Sequence, residues 1–163
     1  MSIRVGFGKD IHKLVFGKEL ILGGVKIPFE KGEEATSDGD VVYHALSDAL
    51  LGAAALGDIG KYFPSSDPRC KGMNSSEIVS FCFNEIKKLG YKVVNIDISI
   101  ELENPKIAKY IDLMKLNISD LCELSVNDIN IKGMTNEGQD SVGNGESVVC
   151  YVSLLIEKWG YYG

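Results

Sequence analysis

The chain has 163 residues, 45% of them hydrophobic and 25% charged, with a formal net charge of −6. That length fits one domain, 1–163, able to bury about 68–70% of its unfolded surface without staples. The acidic balance and the lack of a Lys/Arg cluster argue against a nucleic-acid partner, and no apolar run reaches the roughly 18–20 residues of a membrane helix.

The N-terminus enters strand-like sequence directly, with no signal or transit segment, and the first strand is predicted over 2–9. Gly6-Phe7-Gly8 ends it, small residues that permit close approach. Asp10 and His12 follow; if that stretch is also a strand, both project from one face. Residues 19–28 read as a strand pair or bulged strand around Gly23-Gly24, closed by Pro28, and 30–39 as a polar loop.

Asp38 or Asp40 can cap a helix over 40–56 that is apolar nearly all round, so it should be central and buried. A buried helix has few reasons to carry His44 and Asp48, one turn apart, unless they are paired or ligating. Imidazole plus carboxylate is the ligand set that Zn²⁺ and similar divalent ions accept, and three protein ligands leave a position for substrate. A strand bearing Asp10 and His12 and a helix bearing His44 could converge on one ion. Asp-x-His alone is a weak signal; the second acid-flanked histidine raises it.

Residues 57–60 end that helix and 62–68 form a loop. A second helix covers about 75–89, closed by Gly90. Residues 91–101 alternate as a half-buried strand, Pro105 breaks it, and a third helix covers about 106–123. Strands are predicted over 126–132 and 147–156, with a Gly-rich loop over 133–145 between them. The last strand is apolar on both faces, so both should be covered, one surface being available to another subunit. Cys70, Cys82, Cys122 and Cys150 lack Cys-x-x-Cys spacing; a disulfide framework or Cys₄ zinc site is not expected, and a reducing cytoplasm fits.

The run from Ser37-Asp38-Gly39-Asp40 through His44 to Leu50-Leu51-Gly52, with the segments 53–61 and 63–68, resembles the 2-C-methyl-D-erythritol 2,4-cyclodiphosphate synthase family of the non-mevalonate isoprenoid pathway. Asp10-x-His12, Gly23-Gly24, Pro105-Lys106 and Gly143-x-Gly145-Glu146 fall in matching order, so the resemblance covers essentially the whole chain. It implies an α/β (α+β) fold with a mixed sheet and helices packed on one side, and a cytoplasmic homotrimer with sites between subunits. It implies conversion of 4-diphosphocytidyl-2-C-methyl-D-erythritol 2-phosphate to the cyclodiphosphate, with CMP released when the substrate's 2-phosphate attacks its own β-phosphate. No protein nucleophile is then required.

By the same resemblance, Asp10, His12 and His44 hold Zn²⁺, and Glu137 holds a second divalent ion, Mg²⁺ or Mn²⁺, at the diphosphate, which Thr135 contacts. Pro105 and Lys106 belong to the cytosine pocket. Asp58 and Gly60 meet the methylerythritol part, and Ser37 and Asp67 fall in the same substrate-binding set. Asp48 matches a buried acid beside the metal that orients His44. Three positions depart from the common pattern. Thr36 replaces a His that helps stabilise the transition state. Asn144 replaces an Arg, and Ser141 a Phe, in the segment that lines an inter-subunit cavity. The rival readings are a metal-dependent phosphohydrolase and a trimeric metal- and isoprenoid-phosphate-binding protein without turnover.

Overall fold

Period-two patterning carries the first strand well past Gly8. In the computed structural model, which describes residues 1–160, β1 runs Ser2–Phe16; the last three positions of the 1–163 span lie outside the described residues. From Gly6 to Leu14 its even-numbered residues turn inward and its odd-numbered ones outward. The sequence pattern fades at Gly8 because the next two inward positions, Asp10 and His12, are polar, and the alternation resumes with buried Leu14.

The main sheet has the order β4-β1-β7-β5-β6. At its centre lies β7, Ser147–Lys158, antiparallel to β1 on one side and to β5, Lys92–Glu101, on the other. On the far edge, β6 (Ile129–Met134) pairs in parallel with β5, and that pair is connected through α4, Ile111–Cys122. β4, Lys31–Glu33, forms the other edge against residues 14–16 of β1, inside the stretch expected to be a loop. Its Lys-Gly-Glu sequence carries no apolar pattern to betray a strand. β2 (Leu20–Leu22) and β3 (Val25–Ile27) form the expected strand pair as a separate hairpin.

The helices pack on the inward face. α1, Val41–Ala53, is capped by Asp40, whose carboxylate accepts the Val42 and Tyr43 N–H groups. It is central and buried as expected, with Leu46, Leu50 and Leu51 fully enclosed; each such side chain contributes about 1.5–3 kcal/mol of burial. Gly6 and Gly8 let β1 approach it closely: a Cβ on Gly8 would meet the Ala45 carbonyl oxygen at 1.9 Å, and one on Gly6 the Ala49 carbonyl oxygen at 2.1 Å. α3, Ser75–Lys88, covers α1, and short helices α2 (Ile59–Tyr62) and α5 (Asp140–Gly143) lie within the predicted loops. The third predicted helix begins with a 3₁₀ turn, Ala108–Tyr110, and the residues Val126–Asp128 form another before β6.

All four cysteines are free and buried. Among the described residues no helix is long and apolar enough to cross a membrane. The outward sheet face is bare in the isolated chain, with Val5 70% and Phe7 61% exposed beside Ile3 and Ile11.

Candidate active site

Asp10 and His12 stand two residues apart on the inward face of β1, and His44 enters from the first turns of α1. The Gly6 and Gly8 contacts set how closely these two elements approach. Asp10 Oδ2 lies 2.6 Å from His12 Nε2 and 3.1 Å from His44 Nδ1, and the two imidazole nitrogens are 3.3 Å apart. A tetrahedral ion with bonds of about 2.0–2.2 Å separates its donors by about 3.3–3.6 Å. The two separations to His44 match this to within a few tenths of an ångström, the Asp10–His12 pair would open by about 0.7–1.0 Å, and the three atoms form a donor set of the right chemistry.

The electrostatics of the cluster agree with a cation between these groups. Burial works to raise the Asp10 carboxyl, but its hydrogen bonds to His12 and His44 prevail and hold it near 2. Burial works against the charged form of His44, yet the adjacent Asp10 lifts that imidazole above its ordinary value. Behind the ring, His44 Nε2 lies 2.9 Å from Ser75 Oγ and 3.2 Å from Ser37 Oγ.

Asp48 does something other than orient His44. Its Oδ1 accepts the Ile59 N–H at 2.8 Å, tying the start of α2 to α1. Burial raises its pKa, opposed by that bond. The Asp58 side chain caps α2 by accepting the Lys61 N–H, with Gly60 exposed in the same turn. Asp67 caps the 3₁₀ turn Pro68–Cys70 and holds Arg69 through a two-oxygen ion pair, which keeps its carboxyl below the usual range. Thr36, Ser37 and Asp67 line one open cavity of about 520 Å³, along with Lys18 and Lys71. Ser37 joins this cavity to the Asp10, His12 and His44 cluster.

A second cavity, about 220 Å³, lies at the C-terminal ends of β5 and β6. Pro105, Lys106 and Thr135 line it with Leu102, Ile107 and Gly133; the Asn104–Pro105 peptide is cis. Its wall is mostly apolar. Glu137 is exposed in the following loop and has φ of +52°, an uncommon conformation for a residue with a side chain. Asn136 secures that loop, a role the sequence did not signal. Its N–H donates to Glu103 Oε1 at 2.6 Å, and its side-chain amide donates to Glu101 and Asp140. Asn144 caps the end of α5 and is exposed; it lines neither cavity described here. Within one chain, the three-donor cluster and the 220 Å³ cavity share no residue.

The family model described as the YgbB family matches residues 3–157. The 2-C-methyl-D-erythritol 2,4-cyclodiphosphate synthase of Chloroherpeton thalassium is 49% identical over 156 residues, covering 96% of this chain and 99% of its own. The protein of that name from Burkholderia mallei is 42% identical over 158 residues, covering 97% and 98%. Among solved structures, IspF of Plasmodium falciparum in its CDP complex superimposes with a TM-score of 0.87 at 33% identity, over 98% of each chain. The bifunctional IspDF from Campylobacter jejuni gives 0.93 at 35% identity, over 97% of this chain and 43% of that one. The chain therefore belongs to the YgbB family, together with these synthases.

Proposed function

We infer that the protein is a cyclising phosphorus–oxygen lyase that converts 4-diphosphocytidyl-2-C-methyl-D-erythritol 2-phosphate to 2-C-methyl-D-erythritol 2,4-cyclodiphosphate and CMP. The observation that carries this reading is the convergence of Asp10, His12 and His44 donor atoms beside the cavity lined by Lys18, Ser37 and Lys71, in a chain of this family. In the reaction an oxygen of the 2-phosphate bonds to the β-phosphorus, and the bond from that phosphorus to the CMP oxygen breaks.

Both reacting groups are anionic and the chain carries −6 overall. Zn²⁺ suits the Asp10, His12 and His44 set, and a lone carboxylate such as Glu137 suits Mg²⁺ or Mn²⁺ when substrate phosphates complete the shell. Such ions supply positive charge that relieves the repulsion between phosphates. The chain's own residues fold and hold the substrate. Lys18 and Lys71 add positive charge at the 2-phosphate end, with Ser37 and Thr36 as hydroxyl donors. Asp58 and Gly60, fixed through the Asp48–Ile59 bond, meet the methylerythritol part. Thr135 and Glu137 face the diphosphate. The cavity around Pro105 and Lys106 takes cytosine, its amino group donating to backbone carbonyls of the 103–107 segment. Because attack is intramolecular, holding the two phosphates in line accounts for much of the rate.

The assembly is a homotrimer in the cytoplasm. The exposed Val5 and Phe7 side chains on the outward sheet face support a contact between copies. So does the separation of the metal-binding cluster from the cytosine cavity in one chain, since a neighbouring subunit can bring them together. Buried, unpaired cysteines fit a reducing compartment. Each chain acts as one unit.

Incubation with the cytidine substrate, followed by phosphorus NMR, tests the reading. Cyclodiphosphate plus CMP is expected. Inorganic phosphate plus nucleotide would instead assign a phosphohydrolase, and unchanged substrate a binding protein.

A further inference from the structure

Behind His44, on the side away from Asp10 and His12, a chain of hydrogen bonds runs into the protein. His44 Nε2 meets Ser75 Oγ at 2.9 Å, and the Ser75 hydroxyl donates to Asp38 Oδ1 at 2.5 Å. Asp38 Oδ2 also accepts the Ser75 N–H at 2.9 Å, and its Oδ1 the Asp40 N–H at 3.0 Å. Ser75 is fully buried at the first turn of α3, so water does not compete for these bonds.

We propose that Asp38 and Ser75 are positioning residues that fix His44 in the Nε2–H tautomer, so that the Nδ1 lone pair is aimed between Asp10 and His12. The proposal rests on the reading of those three residues as a metal set.

The argument is a count of protons. A serine hydroxyl has one hydrogen to donate, and Ser75 gives its hydrogen to Asp38. The 2.9 Å contact between Ser75 Oγ and His44 Nε2 then needs the hydrogen of the imidazole. Ser37 Oγ, 3.2 Å from the same nitrogen, receives the Gly39 N–H and can share the Nε2 hydrogen as a second acceptor. A neutral ring protonated at Nε2 carries its lone pair on Nδ1. Only 3.1 Å away, Asp10 Oδ2 is also an acceptor. Two facing acceptors at that distance hold a cation between them: the proton of a charged ring, or a metal ion that takes its place. The carboxylate–serine–histidine arrangement thus selects the ring form that can ligate, and does so before the metal arrives.

A structural role for the same residues is separable. The bond from the Ser75 N–H to Asp38 anchors the start of α3, and Asn74 caps that helix by accepting the Ser76 N–H. Ser75→Ala leaves both of those bonds and removes only the hydroxyl. Asp38→Asn is the complementary change, because its amide can donate to Ser75 and turn the serine hydrogen toward His44.

The test uses the full chain. Zinc dissociation constants are measured by competition with a chelating dye, and the His44 tautomer is read from long-range ¹H–¹⁵N spectra of the metal-free, histidine-labelled protein at a pH where the ring is neutral. The wild type should show the Nε2–H form. Ser75→Ala should show a mixed population and bind zinc about 10–100-fold more weakly, and Asp38→Asn should shift the population further toward Nδ1–H. Unchanged zinc affinity in both variants would overturn the proposal, as would weakened affinity with the tautomer unchanged. A wild type that binds no zinc would overturn the metal reading itself, and this inference with it.

Discussion

Asp10 Oδ2 sits 2.6 Å from His12 Nε2, two residues along the same strand, and His44 closes the cluster from a different element. Removing that third donor should abolish metal retention without unfolding the chain. His44→Ala places the best helix former in α1, and the loss is local. Elemental analysis of the purified protein should fall from one zinc per chain to none while circular dichroism is preserved. Stoichiometric zinc in the variant would refute the ligand set.

The 220 Å³ cavity should prefer cytidine over uridine nucleotides. Cytosine presents a donor where uracil presents an acceptor, and a backbone carbonyl facing the wrong group loses about 1–3 kcal/mol. Calorimetry should therefore show CMP binding roughly 5–150-fold more tightly than UMP. Equal affinities would rule the base pocket out.

Glu137→Ala should cut turnover and spare nucleotide binding. The carboxylate lies exposed in the loop after Thr135, clear of the cavity lining. An ion held there matters most as charge develops in the transition state, so kcat should fall on the order of 10²–10³-fold. The CMP affinity should barely move. A normal kcat at saturating Mg²⁺ would remove Glu137 from the reaction.

A fourth expectation concerns stability. Glu33 is 3% exposed, with Oε2 accepting the Ile21 N–H and Oε1 without a partner. Burial, helped by nearby Asp40, pushes its carboxyl from 4.5 up to about 9. The folded state therefore favours the neutral form, while the unfolded chain ionises freely above its ordinary value. This contribution is complete below pH 4.5 and is lost as the pH rises toward 9. Gln stays neutral throughout and still accepts the Ile21 N–H. Glu33→Gln should thus raise Tm by several degrees at pH 8, equivalent to about 2–4 kcal/mol, and by little near pH 4.5. A Tm difference independent of pH would show that Glu33 is ionised or solvated in the folded protein.

Much of this was legible in the residues themselves. An apolar run located α1, the stop at Gly90 helped locate α3, and the alternation in β5 gave its inward face. Acid-flanked histidines marked the Asp10, His12 and His44 trio, which the fold does bring together, because polar groups on an otherwise apolar helix need a reason to be there. What escaped notice was non-local or unpatterned. β4 is Lys-Gly-Glu at an edge, stabilised by pairing with β1 and without an apolar side chain of its own. The partner behind His44 was expected one helical turn away at Asp48, yet it is Ser75, 31 residues further on. Periodicity reports on a single element, and this contact exists because α1 and α3 begin side by side. Asn136 escaped for the same reason, since its bonds to Glu101 and Glu103 cross from one strand end to a loop 33–35 residues away.

The glycine face of β1 also has a consequence for how this site can change over time. Gly6 and Gly8 set the spacing between strand and helix, and a single methyl group at either position would collide with backbone carbonyls of α1. Any such substitution pushes apart the two elements that carry the ligands, so it acts on metal affinity from a distance although it touches no ligand. The donor set and the glycines are therefore coupled: the spacing that brings Asp10 and His12 to His44 is lost once either glycine carries a side chain.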